Sequence, residues 1–400
     1  MNSGEGKSST DSAGHVSTIQ DKATFIRNIG FDFYRNGDLD SALSAMKLAC
    51  KLKPGSPFLM KRVDKIKAEI ESSSQGAVAD SEKSKRVIAS KQSYVSGHSQ
   101  EDYALMYEEF REAAVAYWGA DKEKFSLNKI DIESVVDKIE QAYKNQKGLS
   151  VIRSGDGEGS FLSRRFSACH QDLFYLCARG SLRLHFGHQD FSYDDLDFWS
   201  NELLSAFVSS DIITSARDEG SVERLLTKHH GFDFRSMVGQ IAGSIIPCSI
   251  AKKMGNLVYE SGYLHRDLIP YYQDIFKNKE VVLIGPNDEK FAEHFETYFG
   301  CTVADVLTIP GQYVVEKESL KQPLFPDLYQ SILSRLLELD VSGKICLVGA
   351  GLAGKVFCSK IALKGGVGLD VGSMMDAWVG RKARKYHTSE FLGASTVIKS

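Results

Sequence analysis

Residues 149–162 read LSVIRSGDGEGSFL, an apolar run followed by an arginine, three glycines and two carboxylates spaced one residue apart. Arg153, Gly155, Asp156 and Glu158 are the residues of this stretch that could do chemistry. On an extended segment, Asp156 and Glu158 can both turn toward one ion, directly or through water. Hard oxygen ligands suit Mn2+ or Mg2+, ions that keep several waters and bind substrate phosphates. The glycines let backbone approach a diphosphate. Arg153 can pair with phosphate, or lock the carboxylates when no ligand is bound. The bland alternative is a glycine-rich turn whose carboxylates face water, and the pattern alone leaves both open.

A second cluster lies in residues 344–370, KICLVGAGLAGKVFCSKIALKGGVGLD. Gly349, Gly351 and Gly354 follow an apolar run and precede a helical pattern, with Asp370 about 20 residues on, which is the written form of the dinucleotide fingerprint. A nicotinamide-dependent oxidoreductase is therefore one reading. Little sequence follows Asp370 to build the second half of such a site. The competing reading is a tight strand–helix turn whose first amides can hold a phosphate. Asp370 and Asp376 flank a Gly-Ser turn, where one could orient a sugar hydroxyl or act as a base; as helix caps they would do neither. Tyr263, His265 and Arg266 precede another helical pattern, and His265 is a further candidate base against a structural role. Asn287 and Asp288 stand where a helix should start. Arg381, Lys382, Arg384 and Lys385 form a basic run, either a solvated face or a contact for a phosphate-bearing acceptor or an anionic membrane surface.

The elements that must position these residues follow from periodicity. From residue 149 onward, short apolar runs bounded by Gly or Asp alternate with helical patterns. The expected strands are LSVIRSG, DLFYLCA, DIITSA, VVLIGP, TVADVLTIP, KICLVGAG and VGLDVG. Such alternation predicts an α/β fold, a mostly parallel sheet with helices on both faces. Helices are also expected from SQEDYALMYEEFREAAVAYWGA and from DIESVVDKIEQAYKNQKG, the latter opening at an Asp cap. Residues 1–18 are Ser- and Gly-rich and are expected to be disordered. Residues 19–72 read as a helical hairpin plus an extra helix. Ile26, Ile29, Gly30, Phe33, Ala42, Met46, Ala49 and Pro54 fall in the register of one tetratricopeptide-like repeat of about 34 residues. A single repeat cannot bury both faces, so a partner protein or a second copy is expected to cover it, and a non-catalytic scaffold is a third reading. Residues 73–100 read as a linker, leaving 101–400 as the catalytic-sized domain.

The net charge of −3 gives no basic field for nucleic acid. The polar N-terminal stretch lacks the apolar segment of a secretory leader. The longest weakly polar run, VGQIAGSIIPCSIA, is short of the roughly 20 apolar residues a bilayer needs, so membrane contact is expected to be peripheral at most. Seven cysteines, with no CxxC pair, read as reduced core residues of a cytoplasmic protein.

Together, VIRSGDGEGSFL, the central VVLIGP run and CLVGAGLAGKVFCSKIALKGGVGLDVGSMMDAW resemble the GT-D-fold glycosyltransferases, which carry an Arg-x-Gly-Asp-Gly-Glu motif. The resemblance covers residues 149–381. It implies a Rossmann-like sheet binding a nucleoside-diphosphate sugar, with Asp156 and Glu158 on Mn2+ and the diphosphate. It also implies Arg153, Gly155, Gly349 and Gly351 around the donor, and Asp370 and Asp376 in the terminal motif. The implied acceptor is a glycan, lipid-linked or protein hydroxyl, assembled at the inner face of a bacterial membrane. The chain departs from the family pattern in two places: ESGYLHRDLIPYY stands where Thr-Ser-Arg-Pro-Tyr is common, and Ser373 where His is common.

Overall fold

The computed structural model describes residues 27, 34, 39–75, 100–121, 128–166, 169–187, 191–227, 234–312 and 322–379. The expected disordered tail, positions Ile26, Ile29, Gly30 and Phe33 of the repeat, residues 76–99 of the linker and the basic run from Arg381 lie outside them. The chain divides into two compact units, residues 1–105 with 227–237, and residues 106–226 with 238–400.

In the first unit, helices Leu39–Leu52 and Pro57–Gln75 pack on each other. Ala42, Met46 and Ala49, the repeat positions that fall on the first of these, are all fully buried against Leu59, Val63 and Ile66. Tyr34 donates its hydroxyl to Glu69 at 2.6 Å. The second helix runs to Gln75, three residues into the stretch expected to be linker.

The second unit is built on a seven-stranded, wholly parallel sheet. Its strands are β1 (Leu149–Ile152), β2 (Ile212–Thr214), β3 (Leu257–Tyr259), β4 (Glu280–Gly285), β5 (Thr302–Thr308), β6 (Ile345–Val348) and β7 (Val367–Asp370), in the order β3-β2-β1-β7-β6-β4-β5. The five inner strands β2, β1, β7, β6 and β4 are short runs rich in Val, Ile and Leu, as expected where helices cover both faces. Side chains alternate between faces. Val151, Leu283, Leu347 and Leu369 pack on one face with helices Ile132–Lys144, Tyr272–Phe276 and Glu289–Phe299. Gly368 and Asp370 point to the other face. There helix Gly351–Leu363 comes so close that a Cβ on Gly368 would lie 2.7 Å from the Cys358 carbonyl oxygen.

Two local expectations needed correction. DLFYLCA is not a strand: it lies in helix Gln171–Phe186, which buries Leu173, Phe174, Cys177, Ala178, Ser181 and Leu182 at helical spacing. β3 carries no long apolar run and was not among the expected strands. The run VGQIAGSIIPCSIA lies within helix Phe234–Met254. Among the described residues no helix is long and apolar enough to cross a membrane. All seven cysteines are free thiols.

The topology fixes where a ligand can sit. The chain leaves β4 toward β5 and leaves the neighbouring β6 in the opposite direction, toward β7. In open parallel sheets such a divergence opens a crevice at the carboxyl ends of the strands.

Candidate active site

A cleft occupies that position, lined by Pro286 after β4, Gly311 and Gln312 after β5, Gly349 after β6, and Gly372, Ser373 and Asp376 after β7. Gly349 sits tightly here, because a Cβ on it would lie 2.6 Å from the Met375 side chain. Helix Gly351–Leu363 begins beside the cleft at Ala350, and no side chain caps it. Gly351 takes φ +57°, a conformation that favours glycine.

Next to the cleft, at the ends of β1 and β7, lies a chain of charges. Asp370 is fully buried and accepts from Arg153 Nη2 at 3.1 Å and from Lys355 Nζ at 3.0 Å. Lys355 also reaches Glu158 Oε1 at 2.7 Å. Arg153 further donates from Nε to the Asp370 carbonyl at 2.9 Å and from Nη1 to His265 Nδ1 at 2.8 Å. A guanidinium can only donate, so His265 Nδ1 accepts and the ring proton sits on Nε2. Burial pushes the Glu158 carboxyl up, but Lys355 beside it prevails and holds it below the usual carboxylate range. Burial acts likewise on Asp370, and Arg153 and Lys355 overcome it. Burial would lower the Lys355 ammonium, yet Asp370 and Glu158 raise it above the ordinary lysine value. Two cations thus cancel two carboxylates within the network.

Close glycine packing sets this geometry. A Cβ on Gly159 would lie 1.8 Å from the Gly239 carbonyl oxygen, and one on Gly239 would lie 2.0 Å from that of Asp156. Helices Asp156–Leu162 and Phe234–Met254 therefore touch through backbone. Ser154 is fixed by its amide, which donates to Thr214 Oγ1 at 2.9 Å, and by its hydroxyl, which donates to the Gly243 carbonyl at 2.6 Å.

Of the residues singled out in the sequence, Arg153, Glu158, Asp370 and His265 share the network, and Gly349 and Asp376 line the cleft. Gly155 is the N-cap of helix Asp156–Leu162 and lies under Glu158: a Cβ there would be 3.0 Å from Glu158 Oε2. Asp156 is exposed at the start of that helix and accepts from the Gly157 amide at 3.0 Å. A shared metal ion at Asp156 and Glu158 requires an extended segment. The segment is helical, and residues two apart on a helix diverge by about 200°. Glu158 turns in to Lys355 and Asp156 turns out, so in this arrangement the pair does not fit one ion. Among the described residues no group of three or more His, Cys, Asp or Glu is placed to hold a metal. Asp370 also lies where the dinucleotide fingerprint puts its ribose-binding acid, but its side chain is wholly buried between two cations.

Three residues were missed by the sequence reading. Lys355 is the buried one of two lysines in helix Gly351–Leu363, the other being Lys360 in its last turn. His185 sits against both glycine turns: a Cβ on Gly157 would be 3.3 Å from its Nε2, and one on Gly351 would be 2.8 Å from its Nδ1. Gln312 lies even closer to Gly351. Lys355 does carry a local signal, since Gly349, Gly354 and Lys355 have the Gly-x4-Gly-Lys spacing of a phosphate-binding loop, with Val356 where Ser or Thr would stand; the surroundings of His185 and Gln312 carry none. Neither family models, nor curated proteins, nor solved structures give a match to this chain.

Proposed function

We propose that this chain is a glycosyltransferase of the GT-D type, moving a sugar from a nucleoside diphosphate to a hydroxyl of a glycan, lipid-linked or protein acceptor. The observation that carries this reading is the cleft at the diverging ends of β4 and β6, which is lined by close backbone and one carboxylate and lies beside the start of helix Gly351–Leu363, where no side chain caps the helix. The first amides of helix Gly351–Leu363 suit a diphosphate, since a helix N-terminus carries unpaired N–H groups and partial positive charge. Asp376 is the carboxylate within reach of a sugar in the cleft. The acceptor oxygen attacks the anomeric carbon, the bond from that carbon to the phosphate oxygen breaks, and the nucleoside diphosphate leaves with the electron pair. Asp376 takes the acceptor proton. Asp370 and His265, the other candidate bases, serve this reading as anchors: Asp370 is buried in two ion pairs, and His265 is buried with Nδ1 on Arg153. No step is assigned to Mn2+ or Mg2+, because Asp156 and Glu158 do not converge.

The oxidoreductase reading is weaker, because a buried, doubly paired Asp370 cannot reach a ribose hydroxyl. The test is a thermal-shift panel of nucleoside-diphosphate sugars beside NADH and NADPH. A ligand at 100 times its dissociation constant stabilises by about 2.7 kcal/mol, roughly 4–5 °C for a domain of this size. Stabilisation by at least one nucleotide sugar is expected. Stabilisation by a nicotinamide cofactor alone would overturn the assignment.

A further inference from the structure

The Lys355 ammonium is held by three oxygens from three elements. Glu158 Oε1 lies at 2.7 Å on helix Asp156–Leu162, Asp370 Oδ2 at 3.0 Å at the end of β7, and the Gly351 carbonyl at 3.0 Å at the start of helix Gly351–Leu363. Two carboxylates and a carbonyl are the hard donors that proteins offer to divalent cations. An ammonium has three protons, and here each has an acceptor. The side chain is only 4 % exposed, so this is an interior cage rather than a surface contact.

We propose that Lys355 is a tethered cation filling the oxygen cage between Glu158 and Asp370, so that the neighbouring cleft binds nucleoside diphosphates without an added metal ion. The charge balance supports this. With Arg153 on the second oxygen of Asp370, the carboxylates are already neutralised. A divalent ion entering beside Lys355 would leave buried, uncompensated positive charge, which is strongly unfavourable. The cage also explains how the cleft is kept in shape. Through the Gly351 carbonyl, Lys355 ties the turn that lines the cleft to β7 and to the Asp156–Leu162 helix. A metal ion would otherwise be needed to draw those carboxylates together. Lys355 is thus a positioning residue, one step removed from the substrate.

Removing the ammonium while keeping its oxygens should convert the cage into a metal site. This rests on the geometry of the cage, and its consequence for nucleotides rests on the glycosyltransferase reading. Calorimetric titration with Mn2+ alone and with Ca2+ alone therefore comes first, on the full chain and on Lys355→Met. The wild type is expected to bind neither ion at this cage, and Lys355→Met to bind at least one with at least tenfold higher affinity. A Glu158→Gln/Lys355→Met chain, which loses one carboxylate with the ammonium, is expected to lose that gain. Mere destabilisation cannot create ion affinity, so the gain separates a filled cage from a structural lysine. If Lys355→Met gains no affinity, or the wild type binds as tightly as the variant, the proposal is overturned.

The wild type supplies a second measurement that does not depend on the variant folding. UDP and GDP are titrated in EDTA and again with Mn2+. Dissociation constants within about threefold of each other are expected. A loss of more than tenfold in EDTA overturns the proposal. Absence of UDP and GDP binding in both conditions counts against the glycosyltransferase reading instead, and the ion titrations still decide the cage.

Discussion

Two aspartates near the end of β7 occupy different surroundings. Asp376 lines the cleft, while Asp370 is buried between Arg153 and Lys355. Their substitutions should separate accordingly. Asp376→Asn removes the proposed base, so transfer is expected to fall by about 10²–10⁴-fold, with a smaller loss of stability than Asp370→Asn brings. Asp370→Asn leaves two cations around a neutral amide and is expected to cost about 3–5 kcal/mol of stability. Transfer assays beside calorimetric unfolding check both. An Asp376→Asn chain that unfolds early but turns over normally would reverse the two roles. At this scale the sequence showed Arg153, Asp156, Glu158, His265, Asp370 and Asp376 as chemically capable residues, but the carboxylate that Arg153 pairs with is Asp370 rather than Asp156 or Glu158. Lys355 was passed over because Gly349, Gly351 and Gly354 also fit the dinucleotide fingerprint; the Gly-x4-Gly-Lys spacing that ends at Lys355 is the local signal for it. Only the packing of its helix on the sheet brings it to Glu158 and Asp370. Asp156 and Glu158 looked like a pair because their spacing suits a strand, whereas the helix that begins at Asp156 turns them apart.

Among the elements, the glycines decide how closely helices approach. Gly155 and Gly159 on one segment meet Gly239 and Gly243 on helix Phe234–Met254, with added Cβ atoms falling 1.8–3.0 Å from neighbouring atoms. Gly159→Ala must therefore push the helices apart. A cost of about 1–3 kcal/mol or more is expected, together with weaker nucleotide binding, because Glu158 rides on the shorter helix. Denaturant unfolding and nucleotide titration of the one variant check this, and unchanged stability would contradict the close crossing. The inner strands were legible because buried parallel strands are continuous apolar runs bounded by Gly or Asp, as in KICLVG and VGLDVG. DLFYLCA misled because a short apolar run does not distinguish a strand from a buried helix face. Helix Phe234–Met254 is apolar nearly all round, with glycines and Pro247 inside it, so no 3.6-residue stripe marked it.

For the whole molecule, the buried network makes stability depend on pH in a defined direction. Glu158 and Asp370 are held below the usual carboxylate range. The folded state then binds fewer protons than the unfolded state in acid, so their stabilisation is complete near neutrality and is lost as pH falls through and below that range. The melting temperature is expected to be level from neutrality to about pH 5 and to fall below it. Glu158→Gln should start lower and show a shallower acid limb, since one titrating group is gone. A network contribution lost near pH 7 would contradict the ion pairs. The alternating pattern after residue 149 made the parallel sheet legible, but the strand order was not, because β6 and β7 return between β4 and β1 and no local signal encodes that insertion. The cleft depends on that order.

The central claim is that this cleft holds a nucleoside-diphosphate sugar, and blocking the cleft tests it most directly. UDP-, GDP- and dTDP-sugars are titrated calorimetrically into the wild type and into Ser373→Phe, which places a ring among the cleft-lining residues, with melting curves confirming that both are folded. The wild type is expected to bind at least one of these donors, and Ser373→Phe to bind it at least tenfold more weakly. Equal binding by the two chains, or binding of NADH or NADPH but of no nucleotide sugar, would contradict it.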